Sequence, residues 1–143
     1  GGNIDTEPVF SPDGQTVYFT SDRGGSPQIY RVAASGGEPR RVTFSGSYNV
    51  SPAISPDGKH LAYISRDGGR FSVVLHELAS GQTRVLTDSA RDESPSFAPN
   101  GQAVLYATVQ GGRGIVGTVS MEGKTRARLS ESGVDAREPA WGP

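Results

Sequence analysis

One short tetrapeptide returns through this chain at a nearly constant interval, and that interval limits the folds open to it. Ser11-Pro12-Asp13-Gly14 recurs as Ser55-Pro56-Asp57-Gly58 and again as Ala98-Pro99-Asn100-Gly101, at spacings of 44 and 43 residues. Three further markers keep the same phase. They are the prolines Pro8, Pro52, Pro95 and Pro139, the diglycines Gly24-Gly25, Gly68-Gly69 and Gly111-Gly112, and the pairs Val42-Thr43, Leu86-Thr87 and Leu129-Ser130. A period of this length belongs to repeat architectures, in which each unit buries its apolar face against the next. Function must therefore be sought in an array of units rather than in one catalytic motif.

Each unit reads as four short strands. Pro8–Ser11, Pro52–Ser55 and Pro95–Ala98 form the first, and Pro-Asp/Asn-Gly then turns the chain, with proline presetting φ and glycine accepting the last turn position. Thr16–Thr20, His60–Ile64 and Ala103–Ala107 form the second strand. Gln28–Val32, Ser72–His76 and Ile115–Val119 form the third, and Arg40–Thr43 with its copies the last. No apolar period of three and four persists long enough for a helix. Four strands in about 40–45 residues describe a propeller blade, so the fold class is all-β, with blades of four antiparallel strands near 7–44, 51–87 and 94–130. The first strand, short and opened by a proline, is expected innermost. Phe10, Ile54, Phe97 and Trp141 share one position there and are expected to be buried between sheets.

Residues 138–143 add a fourth inner strand and nothing more. Propellers close with roughly four to eight blades, so three blades imply that further blades, or a second copy, complete the ring. A homodimer about a two-fold axis is the expected form of self-association, with Trp141 replacing the partner's Phe10. The start on Gly1-Gly2, without a leader, reads as an excised or processed piece.

Fourteen Lys plus Arg against fifteen Asp plus Glu leave no global field for nucleic acid or an anionic membrane. Cysteine is absent, which removes disulfides, thiolate metal sites and cysteine catalysis. His60 and His76 fall on different elements without a companion ligand, so neither zinc nor base catalysis is expected. Gly111-Gly112-Arg113-Gly114 lacks the Lys-Ser/Thr of a phosphate loop and reads as a hairpin connection.

The run Thr20-Ser21-Asp22-Arg23-Gly24-Gly25-Ser26-Pro27-Gln28-Ile29-Tyr30, the Ser-Pro-Asp-Gly turns, the segment Asp92–Gly101 and the closing Pro139-Ala140-Trp141 resemble the C-terminal half of the TolB-family propeller over nearly all of the chain. Gly142 departs from the serine that the repeat would place there. The resemblance implies a non-enzymatic, periplasmic scaffold of the Tol-Pal envelope system, half of a six-bladed ring that binds the lipoprotein Pal and, in some cases, bacteriocin segments. The accessory propeller of a prolyl-oligopeptidase-like serine peptidase is the alternative. Against it stands the closing Pro139-Ala140-Trp141 strand, where a peptidase would run on into its hydrolase domain.

The loops entering each first strand are acidic in phase: Asp5 and Glu7, Asp92 and Glu93, Asp135 and Glu138, with Asn49 and Ser51 at the corresponding place in the second unit. On one mouth of a propeller such carboxylates can hold Ca²⁺, attract a basic partner, or cap their own turns. The second-to-third-strand connections carry Asp22-Arg23, Arg66-Asp67, Arg70 and Arg113, which serve either a partner's carboxylates or an internal Asp–Arg pair. The residues expected to face a Pal-like partner are Thr20, Ser21, Asp22, Arg23, Asn49, Asp92 and Glu93. No cofactor is expected beyond that cation.

Overall fold

The structure is a computed structural model, which describes residues 8–67, 69–87, 90, 95–121 and 126–130. They form three four-stranded antiparallel sheets and no helix. The first sheet holds β1 (Val9–Phe10), β2 (Thr16–Ser21), β3 (Gln28–Ala33) and β4 (Arg40–Arg41) in that order. The second holds β5 (Asn49–Ile54), β6 (His60–Asp67), β7 (Arg70–Glu77) and β8 (Thr83–Val85), again in chain order. The third holds β9 (Ser96–Phe97), β10 (Ala103–Gln110), β11 (Arg113–Ser120) and β12 (Arg126–Ser130). Each sheet is one blade.

The Pro-Asp-Gly segments build the same turn each time. Gly14 N–H donates to Ser11 O (2.8 Å), and Gly58 N–H to Ser55 O (2.9 Å). The Ser11 hydroxyl donates to the Asp13 carboxylate, which also accepts the Gln15 N–H, while Ser11 Oγ accepts the Thr16 N–H. Ser55, Asp57, Lys59 and His60 repeat that set. The third turn keeps the backbone bond from Gly101 N–H to Ala98 O (2.8 Å) and, of the side-chain bonds, the Gln102 N–H to Asn100 Oδ1 bond alone, since Ala98 has no hydroxyl. Both carboxyl groups are held below the 3.8 of an ordinary aspartate, first by the serine hydroxyl and then by the backbone N–H.

The turns also seat one blade on the next. A methyl group at Gly58 would stand 3.3 Å from Pro12 Cδ, and one at Gly101 would stand 3.6 Å from Pro56 Cδ. Proline of one unit thus rests on glycine of the following unit. The glycines have φ near +74° and +73°, a region that side chains disfavour. At Gly58 glycine serves both the turn and the close approach; at Gly101, where 3.6 Å is an ordinary contact, it serves the turn.

Two apolar cores lie between the sheets, supplied by strict alternation along the strands. Leu61 and Tyr63 of β6, with Val74 of β7, face Tyr18 and Ile29 of the first sheet. Ala62, Ile64, Val73 and Leu75 face Val104, Tyr106 and Val119 of the third. Burying side chains of this size contributes roughly 1.5–3 kcal/mol each, so the junctions between blades carry most of the apolar stabilisation. Ile54 and Phe97 pack against these two cores. Phe10, expected to be buried at the same repeat position, is instead 56 % exposed. No sheet lies against the outer face of the first blade among the described residues. Trp141 and the inner strand expected at 138–143 fall outside the described residues.

The connections are shorter than the sequence reading had them. Gln110 pairs with Arg113 across the two-residue loop Gly111-Gly112, whose φ values of 60° and 77° match a type I′ hairpin. Arg70 and Arg113 therefore open strands rather than sitting in loops. β5 also begins earlier than Pro52. Asn49 and Val50 already pair with Ser65 and Ile64, and a register break separates Val50 from Ala53. Ser51 sits inside that break with φ of 60°, the one described non-glycine residue in this region.

Candidate functional site

The end of the blades opposite the Pro-Asp-Gly turns carries the β2–β3 hairpin and the chain that leads into β5, and most of the expected contact residues converge there. Their chemistry is largely internal. Gln28, fully buried, donates through Nε2 to Gly46 O (3.0 Å) and to Ser26 Oγ (3.2 Å). Its Oε1 accepts the Thr43 hydroxyl at 2.6 Å and Asn49 Nδ2 at 2.9 Å. Thr43 Oγ1 accepts the Ile29 N–H, and Asn49 Nδ2 also reaches Ser45 O. Thr20 Oγ1 accepts the Ser51 N–H at 3.0 Å, and Asn49 N–H donates to Pro27 O at 3.0 Å. A buried amide that uses both ends in this way avoids the desolvation cost of an unmatched polar group.

Thr20, Ser21 and Asn49, expected to meet a partner, are therefore corrected. Thr20 and Ser21 are fully inaccessible and Asn49 is 2 % exposed. The side chains of Thr20 and Asn49 are spent on joining the first blade to the second, including the strained Ser51 backbone. Ser21 Oγ accepts both the Arg23 N–H and Arg23 Nε. Arg23 and Asp22 remain at the surface, exposed and partly exposed respectively. The Arg23 guanidinium lies 5.1 Å from the Phe19 ring centre and 5.3 Å from that of Tyr30, within cation–π range. Arg66 likewise lies over Tyr48, at 4.6 Å. These arginines pack on aromatic faces.

Asp92 and Glu93 lie outside the described residues, as do Asp5, Glu7, Asp135 and Glu138. Among the described residues no three acidic or histidine side chains gather as a metal site. His60 Nε2 stands 3.9 Å from Glu77, and His76 lies beside Tyr63, with ring centres 6.2 Å apart. Burial pushes the Tyr63 hydroxyl up to about 12 and holds the His76 imidazole below its usual value. Sequence reasoning missed Gln28 and Thr43, the centre of the network. The recurring hydroxyl at Thr43, Thr87 and Ser130 was its one trace.

The inner strands form a concave wall enclosing about 630 Å³. Pro8, Pro52 and Pro95 line it with Val9, Ala53, Ile54 and Phe97, and Ser51, Ser55 and Ser96 supply its few polar groups.

The comparison with known proteins decides the family. Residues 1–143 match the family described as the TolB beta propeller domain, PD40. The chain belongs to the TolB β-propeller family. It is 53 % identical over 140 residues to the Tol-Pal system protein TolB of Bordetella pertussis, covering 98 % of this chain and 32 % of that protein. It is 84 % identical over 74 residues to the same protein of Thiobacillus denitrificans, covering 52 % of this chain and 17 % of that one. The crystal structure of TolB from Acinetobacter baumannii superposes with a TM-score of 0.83 at 44 % identity, over 90 % of this chain and 33 % of that one. The chain thus spans about a third of the length of the relatives that it matches from end to end. A prolyl endopeptidase also superposes, with a TM-score of 0.62 but 16 % identity, which shows the blade fold alone. The TolB relatives are named for the Tol-Pal system and not for a reaction.

Proposed function

We propose that the chain is part of a periplasmic protein-binding propeller that docks a Pal-like lipoprotein domain on the mouth formed by the β2–β3 hairpin and the entry to β5. The observation that carries this reading is the rigid rim. Gln28, Thr43 and Asn49 lock hairpin and entry loop together from inside, so Asp22 and Arg23 are presented on a surface that loses little entropy on binding. Family membership supports the Tol-Pal assignment. Asp92 and Glu93, in the corresponding entry of the third unit, belong to the same surface in this proposal. Bacteriocin segments that use the Tol-Pal route would compete for it.

The test is surface plasmon resonance with a purified Pal-like domain and the longer protein that carries these residues. Reversing charge at Asp22, Arg23, Asp92 or Glu93 should change the association rate and its salt dependence more than the dissociation rate, since rim charges steer encounter. Association rates that stay equal at low salt would reject this placement of the site.

A second part of the proposal rests on the outer face of the first blade. Phe10 is exposed there, and Gly14 has no proline seated on it as Gly58 and Gly101 do. A further blade completes that face, from the longer protein or, in the isolated chain, from a second copy in a two-fold dimer. Sedimentation of the 143-residue chain distinguishes the two, and a stable, well-folded monomer would reject the dimer.

A further inference from the structure

We propose that the outer groove between the first and second blades binds an acidic segment of a partner protein, which inserts one large apolar side chain. The groove encloses about 340 Å³, room for a single leucine- or phenylalanine-sized group. Val42, Val74, Tyr63 and His76 form its floor and sides, and Phe44 and Val85 its lips.

The repeat itself supplies the control. Phe44 is 72 % exposed, yet the same position holds Asp88 and Glu131 in the other units. Val85 is 62 % exposed, where the other units hold Arg41 and Arg128. His76 replaces Val32 and Val119, and its buried Nδ1 has no hydrogen-bond partner. Three departures from the repeat thus meet in one groove. Two of them put an exposed hydrophobe where the other units have a charged residue in sequence, which a blade needs neither for folding nor for solubility.

Charge names the occupant. Arg31 and Arg40 are directly opposed on β3 and β4, and Arg41 follows with its guanidinium over the Phe44 ring at 5.1 Å. Like charges facing across a strand pair are unfavourable. Among the described residues the single ion-pair contact is His60–Glu77, so none of these three arginines has a described carboxylate against it. The corresponding positions elsewhere are Leu75, Arg84 and Val85, then Thr118, Ala127 and Arg128. The triple cluster occurs in the first unit alone, on the strand pair that leads into Val42–Phe44, and Arg41 reaches the groove's lip through the Phe44 ring. Carboxylates flanking an inserted apolar side chain would answer the arginine fork bidentately.

Fluorescence anisotropy with a labelled Asp-Asp-Phe-Asp-Asp peptide tests the proposal on the 143-residue chain. Saturable binding is expected at low salt. Replacing the probe's phenylalanine by serine, or Phe44→Asp in the protein, should weaken it by about ten-fold or more, the loss expected for one buried aromatic side chain. Val85→Arg, which restores the residue type of the sister units, gives a second reading if Phe44→Asp perturbs folding by circular dichroism. Arg40→Glu should abolish the salt-sensitive part. Equal binding of the serine peptide would overturn the proposal, leaving an anion patch. So would capture by anionic phosphatidylglycerol vesicles that survives Phe44→Asp, or absence of binding at millimolar peptide.

Discussion

The blades of this chain are joined differently at their two ends. At the turn end Pro12 rests on Gly58 and Pro56 on Gly101, a van der Waals seat repeated at both junctions. At the hairpin end the first junction is closed by the buried amides of Gln28 and Asn49 and the Thr43 hydroxyl. The next unit places Ser72 and Asp92 at the two amide positions. What repeats is what every junction needs in order to stack. What does not repeat records a demand made at one place, and the rim that holds Asp22 and Arg23 is such a place.

The sharpest way to break this comparison is Gln28→Leu. It strips the acceptor from Thr43 and Asn49 and the donors from Gly46 and Ser26, leaving several buried groups unmatched. A loss of about 2–4 kcal/mol is expected in urea unfolding. Ser72→Ala, at the matching position of the second blade, should cost well under about 1 kcal/mol. Equal costs would mean that the two junctions do not differ.

The turn end is probed by glycine. Gly14→Ala meets only the φ penalty, since nothing lies within 4 Å of the added methyl, and about 1 kcal/mol is expected. Gly58→Ala must in addition displace Pro12, bringing the cost to about 1–2 kcal/mol. Thermal unfolding in a Pro12→Ala background should erase the difference. If it persists, the proline seat is not its cause.

A smaller effect sharpens the same comparison. Ala98→Ser returns to the third turn the hydroxyl that Ser11 and Ser55 use, and should stabilise by about 0.5 kcal/mol. A destabilisation would show that the closely packed site around Ala98, which is 1 % exposed, has no room for the oxygen.

The smallest effect is electrostatic. Asp13 and Asp57 have depressed carboxyl pKa values in the folded chain. Their contribution to stability is present above the ordinary 3.8 and is lost as pH falls through the depressed values. Carboxyl NMR should show both titrating below 3.8, and Ser55→Ala should return Asp57 toward it. Either aspartate titrating above that value would contradict the hydrogen bonds assigned to these turns.

The period, the turns, the four strands per unit and their phase were legible because each depends on neighbours in sequence. Proline and glycine fix local φ, and alternation fixes which residues share a face. The same reading placed Thr20, Ser21 and Asn49 on a partner-facing surface, and there it failed. Polar residues beside a turn look alike whether water or Gln28 satisfies them, and Gln28 meets Asn49 across 21 residues of chain.

The sequence by itself determined that this chain builds blades, the phase in which they recur, and that Phe10, Ile54 and Phe97 stand at one repeated position. Only the tertiary structure decided that Ile54 and Phe97 pack between sheets while Phe10 stays 56 % exposed. It alone brought Phe44, Val85 and His76 into one groove. The reason is physical. A strand's conformation follows from its own φ and ψ, but its burial depends on whether another sheet lies against it, and that contact joins residues that sequence spacing does not relate.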